Sequence, residues 1–209
     1  MIKFDFATAT EIVFGSGRAR ELGARAKALG TRALVVTGAH PERFQSLLAA
    51  VSSAGVTLET FCVSQEPTTQ TARDGVTQAL AVRAELVIGL GGGSVLDAAK
   101  AIAALATNGG EPLDFLEVVG RGLPLRERSL PALLLPTTSG TGSEVTRNAV
   151  LQVESERVKV SLRSPWMLPT LALVDPELTL SVPPAVTRAT GLDALTQVLE
   201  PFVSNARGP

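Results

Sequence analysis

The chain has 209 residues, 45% of them hydrophobic and 19% charged, with a formal net charge of −1. That is globular composition with enough apolar residues for a substantial core, and the near-neutral charge without a dense Lys/Arg patch argues against a nucleic-acid partner. One cysteine (Cys62), one histidine (His40) and no tyrosine exclude a disulfide scaffold, a Cys-based zinc site and a multi-histidine metal site made from this chain alone.

The opening, MIKFDFATATEIVFG, is too polar and alternating for a signal peptide, and no apolar run reaches about 18 residues, so no membrane span and a cytoplasmic location are expected. ALVVTG (33–38) is β-branched and ends in glycine, which predicts a buried strand. PERFQSLLAAVSSAG (41–55) predicts a helix, with Pro41 suited to its first turn and Gly55 to its end. VTLETFCV (56–63) predicts a strand, TTQTARDGVTQALAVRA (68–84) a helix, and ELVIGLG (85–91) a strand. SVLDAAKAIAALATNG (94–109) predicts a helix ended by Asn108-Gly109, and PALLLPTT (131–138) another strand. This alternation, with near-continuous apolar strands, predicts a parallel sheet covered on both faces. After residue 145 the rhythm changes. Residues 147–162 read as a β-hairpin, TLALVDPEL (170–178) as one more strand, and 180–204 as helix broken near Pro183-Pro184 and Gly191.

Two loops carry the chemistry. Gly91, Gly92, Gly93 and Ser94 stand between an apolar strand and a helix. The first N–H groups of a helix lack partners and carry the positive end of its dipole, and glycine lets an anion approach the backbone. Ser94 is placed to cap the helix, and Asp97 three residues on gives capping-box spacing. The same glycines would also serve a tight turn that binds nothing. The pattern is neither G-x-G-x-x-G nor a Walker A loop, since no Gly-Lys-Ser/Thr follows. The second loop, LLLPTTSGTGSEVT (133–146), supplies Thr137, Thr138, Ser139, Thr141 and Ser143 hydroxyls after another strand. In a parallel sheet both loops leave the carboxyl ends of strands, where ligands sit, and two such loops favour a dinucleotide over a lone phosphate.

GGGSVLDAAK (91–100), LLLPTTSGTGSEVT (133–146), LVDPELTLSVPP (173–184) and ATGLDALTQVLEPFVS (189–204) together resemble the group III, or iron-containing, alcohol dehydrogenase family. The likeness runs over essentially the whole chain. It implies an α/β fold: a Rossmann-like, doubly wound, mostly parallel sheet over 1–180, followed over 181–209 by the opening helices of a truncated all-helical, metal-binding domain. It implies NAD or NADP as cofactor, a divalent metal (Fe²⁺ or Zn²⁺), a small-molecule alcohol or carbonyl substrate, and reversible hydride transfer in which the metal polarises the substrate oxygen.

Carried over by this resemblance, Gly91, Gly92, Gly93 and Ser94 would hold the pyrophosphate. Thr137, Thr138 and Thr141 would line the adenosine and ribose side, Lys159 would contact the nicotinamide-side ribose, and Leu178 and Leu180 would lie near the nicotinamide. Asp193 would be a metal ligand. Asp193 and Gln197 are four apart and share a helix face, so both can face one ion. Three features depart from the family's pattern. Gln197 stands where histidine is usual, and an amide is a poorer ligand for these metals. The later histidine ligands would lie beyond residue 209, and His40 falls near the adenine side. Gly38 stands where many relatives carry an acidic residue that bonds the ribose 2′-OH, so NADP should be tolerated. No residue among the 209 is a good general base, so no catalytic residue is assigned. A dinucleotide-binding module without catalysis, or an enzyme of the glycerol dehydrogenase or dehydroquinate synthase type, are the alternatives. Ala194, Leu195 and Val198 would be exposed without a second domain, and a homodimer is one way to cover them.

Overall fold

A computed structural model describes residues 5–204. Its strands, among the described residues, are β1 (Glu11–Phe14), β2 (Arg32–Thr37), β3 (Thr57–Cys62), β4 (Leu86–Gly91), β5 (Ala132–Pro136), β6 (Asn148–Val153), β7 (Val158–Arg163) and β8 (Leu171–Val174). Its α-helices are α1 (Leu22–Leu29), α2 (Gln45–Ser53), α3 (Thr69–Ala81), α4 (Gly93–Asn108), α5 (Pro112–Phe115) and α6 (Pro184–Val203).

Six strands form one sheet in the order β1-β8-β5-β4-β2-β3, and every pairing is parallel. β6 and β7 make a separate antiparallel hairpin. The central strands β4 and β5 are buried throughout, as their unbroken apolar runs demand. Side chains alternate across the sheet. Val35, Ile88 and Leu133 pack with Leu22 and Ala26 of α1 and Val51 of α2 on one face. Leu34, Val36, Val87 and Leu134 pack with Ala79 of α3 and Leu96, Ala99 and Ile102 of α4 on the other. The far side of α4 is also covered: Ala101, Ala104 and Leu105 meet Ala149, Leu151 and Leu162 of the hairpin. A Cβ at Gly89 would lie 2.9 Å from that of Ala99, so this glycine is what lets α4 sit close on the sheet.

The strands therefore match the expected doubly wound, parallel architecture. Four local expectations are corrected. The stretch 41–55 starts as a 3₁₀ turn over Pro41–Phe44 and becomes α-helical only at Gln45. Gly191 does not break the last helix: α6 runs without interruption from Pro184, because one helical glycine costs only about 1 kcal/mol against alanine. Ser94 does not cap α4; Gly92 is the N-cap residue and Ser94 lies inside the first turn. Asp97 makes no capping box, since its carboxylate turns toward Ser143 and toward Val150 of the hairpin instead. The helices α1 and α5 lie outside the stretches that the sequence predicts as helix.

At the edge beside β1, Asp175 is buried and accepts the N–H groups of Gly17 (3.1 Å), Ala19 (2.9 Å) and Glu177 (3.0 Å). It caps the short 3₁₀ turn Pro176–Thr179 and ties the end of β8 to the turn after β1.

Candidate nucleotide site

Because all six strands are parallel, β2, β4, β5 and β8 deliver their following loops to one edge. β2 and β4 are neighbours, yet α2 and α4, the helices that follow them, lie on opposite faces. A crevice opens between carboxyl ends where connections diverge in this way. The glycine turn after β4 and Gly38 after β2 flank it.

The three glycines of the turn are not equivalent. A Cβ at Gly91 would lie 2.7 Å from Val95 Cβ, and one at Gly93 would lie 2.8 Å from Thr141 Cγ2. Packing disfavours a side chain at both, most firmly at Gly91, where the contact is to Val95 Cβ. A Cβ at Gly92 would meet only Thr138, at an ordinary 3.4 Å from its Oγ1, and Gly92 has φ −78° and ψ −176°, open to any residue. Neither packing nor backbone geometry explains glycine there. Gly93 and Ser94 begin α4, so no intrahelical carbonyl takes their N–H groups, and no other acceptor does so among the described residues.

The second loop closes over the first. Thr137 donates its N–H to the Gly91 carbonyl at 2.9 Å, and Thr138 and Thr141 stand over Gly92 and Gly93. Thr137 is buried, Thr138 half-buried and Thr141 exposed. The tip of the loop reaches α6, where a Cβ at Gly140 would lie 2.8 Å from Thr190. Thr138, Gly140, Glu144, Asp175 and Ala194 line a cleft of about 460 Å³ at this meeting.

A buried network holds the loop in place. Lys100, with no side-chain exposure, donates to the carbonyls of Ser143 (2.8 Å) and Asn148 and to Thr146 Oγ1 (3.0 Å), and its ammonium lies 3.2 Å from Asp97. Asp97 also accepts the Ser143 hydroxyl at 2.5 Å and the Val150 N–H at 3.1 Å. Burial pushes the Lys100 ammonium below the usual lysine range, opposed by the adjacent Asp97 carboxylate. Lys100, and the role of Asp97 as its partner, do not follow from the motifs of the sequence. The sequence signal for them is one cation in the otherwise apolar stretch AAKAIAALA, which a helix buried on both sides must pair.

The other expected residues fall as follows. Lys159 on β7 reaches Glu66, whose carboxylate also accepts the Ser94 hydroxyl, so the hairpin meets the glycine turn. Glu66, in the loop after β3, carries no sequence signal for this position. Gly38 has open space where a side chain would go. Leu178 packs on the sheet's first cluster, whereas Leu180 is 82% exposed. Asp193 and Gln197 do share a face: the Gln197 amide donates to Asp193 at 3.2 Å. Among the described residues no three His, Cys, Asp or Glu side chains gather as a metal site. His40 lies on the surface against Glu42, 3.0 Å away. Leu195 and Val198 are exposed as expected, but Ala194 is half-buried because it lines the cleft. No helix among the described residues is long and apolar enough to cross a membrane.

An open parallel sheet, wound on both faces, with a glycine turn at the divergence of its connections defines a Rossmann-like α/β domain. The family model for iron-containing alcohol dehydrogenases matches residues 9–176, and the chain belongs to that family. It is 46% identical over 147 residues to long-chain-alcohol dehydrogenase 1 of Geobacillus thermodenitrificans, covering 70% of this chain and 36% of that protein. It is 35% identical over 202 residues to the NAD-dependent methanol dehydrogenase of Bacillus methanolicus, covering 94% of this chain and 52% of that one. Sulfoacetaldehyde reductase from Bifidobacterium kashiwanohense, solved in complex with NAD⁺, superposes with a TM-score of 0.89 at 34% identity, covering 100% of this chain and 56% of that chain. The chain thus spans about a third to a half of the length of these curated relatives.

Proposed function

We propose that this chain is the nucleotide-binding part of an NAD(P)-linked, metal-dependent alcohol dehydrogenase. The pyrophosphate would lie on Gly91–Ser94 under Thr138 and Thr141, with Thr137 behind them. The observation that carries this reading is Gly92: it alone of the three glycines has neither a packing nor a conformational reason to be glycine, and it borders two free N–H groups at a helix N-terminus. When bound, the cofactor supplies hydride chemistry; the chain's share is to bind and orient it. Lys159 and Leu178 would lie toward the nicotinamide half, with Leu180 beyond them.

Residues 1–180 would form this domain and 181–209 would open a helical one. Asp193 and Gln197 would contribute to a metal site only together with ligands from outside the described residues. The open space at Gly38 supports acceptance of a 2′-phosphate, hence of NADP beside NAD. The relatives named above act on alcohols and an aldehyde, which supports a small alcohol or carbonyl as substrate, and the exposed Leu195 and Val198 support a homodimer or cover by further chain.

The test is a fluorescence titration with NADH. Gly92→Ala fits the space available and should hold Kd within about threefold, while Gly92→Asp should weaken it at least 100-fold by setting a carboxylate against the phosphates. Equal affinities in the two variants would overturn the assignment.

A further inference from the structure

The Glu66 carboxylate does two things at once. Oε1 accepts the Ser94 hydroxyl at 3.2 Å and Oε2 lies 3.2 Å from Lys159 Nζ. It therefore lies against the second residue of α4 and against the hairpin cation. A carboxylate and a phosphate are stabilised by the same surroundings at the positive end of a sixteen-residue helix.

We propose that Glu66 is an internal counter-anion of the nucleotide site, which the pyrophosphate must displace from Ser94 and Lys159. This rests on the reading that Gly91–Ser94 receives the pyrophosphate. Glu66 and Lys159 keep 52% and 54% of their side-chain surface in water, so the contact is weak and yields readily. Its effect is to lower affinity and to make it depend on salt. The Glu66 charge opposes the entering phosphates at low ionic strength and is screened at high ionic strength. Replacement of Glu66 by glutamine keeps the shape and a hydrogen bond to Ser94 while freeing Lys159 for the ligand.

The experiment measures Kd for NADH at about 0.02 M and about 0.5 M salt, where screening lengths differ severalfold, with wild type, Glu66→Gln and Gly92→Asp. Glu66→Gln should bind about three- to tenfold more tightly than wild type at low salt, with the difference shrinking below about twofold at high salt. Weaker or unchanged binding in Glu66→Gln, or a gain that ignores salt, would overturn the inference. If Gly92→Asp still abolishes binding in that case, the proposed function stands without it. Absence of NADH binding by wild type and Glu66→Gln alike would overturn both.

Discussion

Lys100 offers the sharpest test of how the site is built. Its ammonium lies between α4 and the loop that covers the glycine turn, with Asp97 at 3.2 Å and acceptors on Ser143, Thr146 and Asn148. Lys100→Met fills a similar volume but removes the charge and every donor. The Ser143 and Asn148 carbonyls lose a partner, and Asp97 is left without its cation. Breaking a buried ion pair from one side costs about 3–5 kcal/mol. Asp97 keeps the Ser143 hydroxyl and the Val150 N–H and retains some solvent contact, which places the expected loss near the lower end, about 3 kcal/mol. For a domain of this size that corresponds to a Tm lower by about 6–12 °C. Urea unfolding gives the value directly, as a lower midpoint at unchanged slope. In the double variant Lys100→Met/Asp97→Asn both charges are gone, and the combined loss should fall short of the sum of the single losses by at least about 1 kcal/mol. NADH affinity should fall in the single variant under conditions where it is still folded, because Thr138 and Thr141 lose their support. A loss under about 1 kcal/mol with affinity unchanged would refute the idea that this pair holds the loop.

Three further outcomes follow from other residues. Asp175→Ala removes the acceptor of three N–H groups in a buried corner and should destabilise by about 2–4 kcal/mol in urea unfolding, with Asp175→Asn intermediate; no change would mean that water replaces the carboxylate. Gly38→Asp has room to fold normally and should weaken NADPH binding by at least tenfold more than NADH binding; equal losses would mean that Gly38 does not face the 2′ position. Hydrogen bonds from Arg18 and then Arg25 hold the Glu21 carboxyl at about 2, below the usual glutamate value. A carboxyl depressed in the folded state stabilises above its unfolded pKa and loses that contribution as pH falls toward the folded value. Glu21→Gln should therefore flatten the fall of Tm between about pH 4.5 and pH 2 while changing it little below that range, and an unchanged acid limb would show that the pairs contribute nothing in solution.

Much of this molecule is decided locally. Strand-length apolar runs at ALVVTG, LVIGLG and ALLLP announce strands buried on both faces, and a helix buried on two sides follows from SVLDAAKAIAALA. The glycine turn and the Thr-rich loop are equally legible, since their chemistry depends on residue types within a few positions of each other. Short-range pattern also placed Asp193 and Gln197 on one helix face, which their hydrogen bond bears out. Other features depend on contacts between distant parts of the chain, and these no local pattern encodes. Asp97 looks like a cap by spacing, but Ser143 of the covering loop and Val150 of the hairpin, 46 and 53 residues away, offer it better partners. Glu66 and Lys159 look like separate surface charges until β7 is folded over the glycine turn. The distinction among Gly91, Gly92 and Gly93 is of the same kind. Sequence presents three equal glycines, while the packing of Val95 and Thr141 accounts for two and leaves the third without a packing reason. Composition and periodicity determined which segments become strands, helices and glycine-rich turns, because those depend on backbone propensity and burial of a single face. Strand order, and with it the set of side chains gathered at one edge, was decided only by the tertiary structure, because it depends on which buried surfaces fit together.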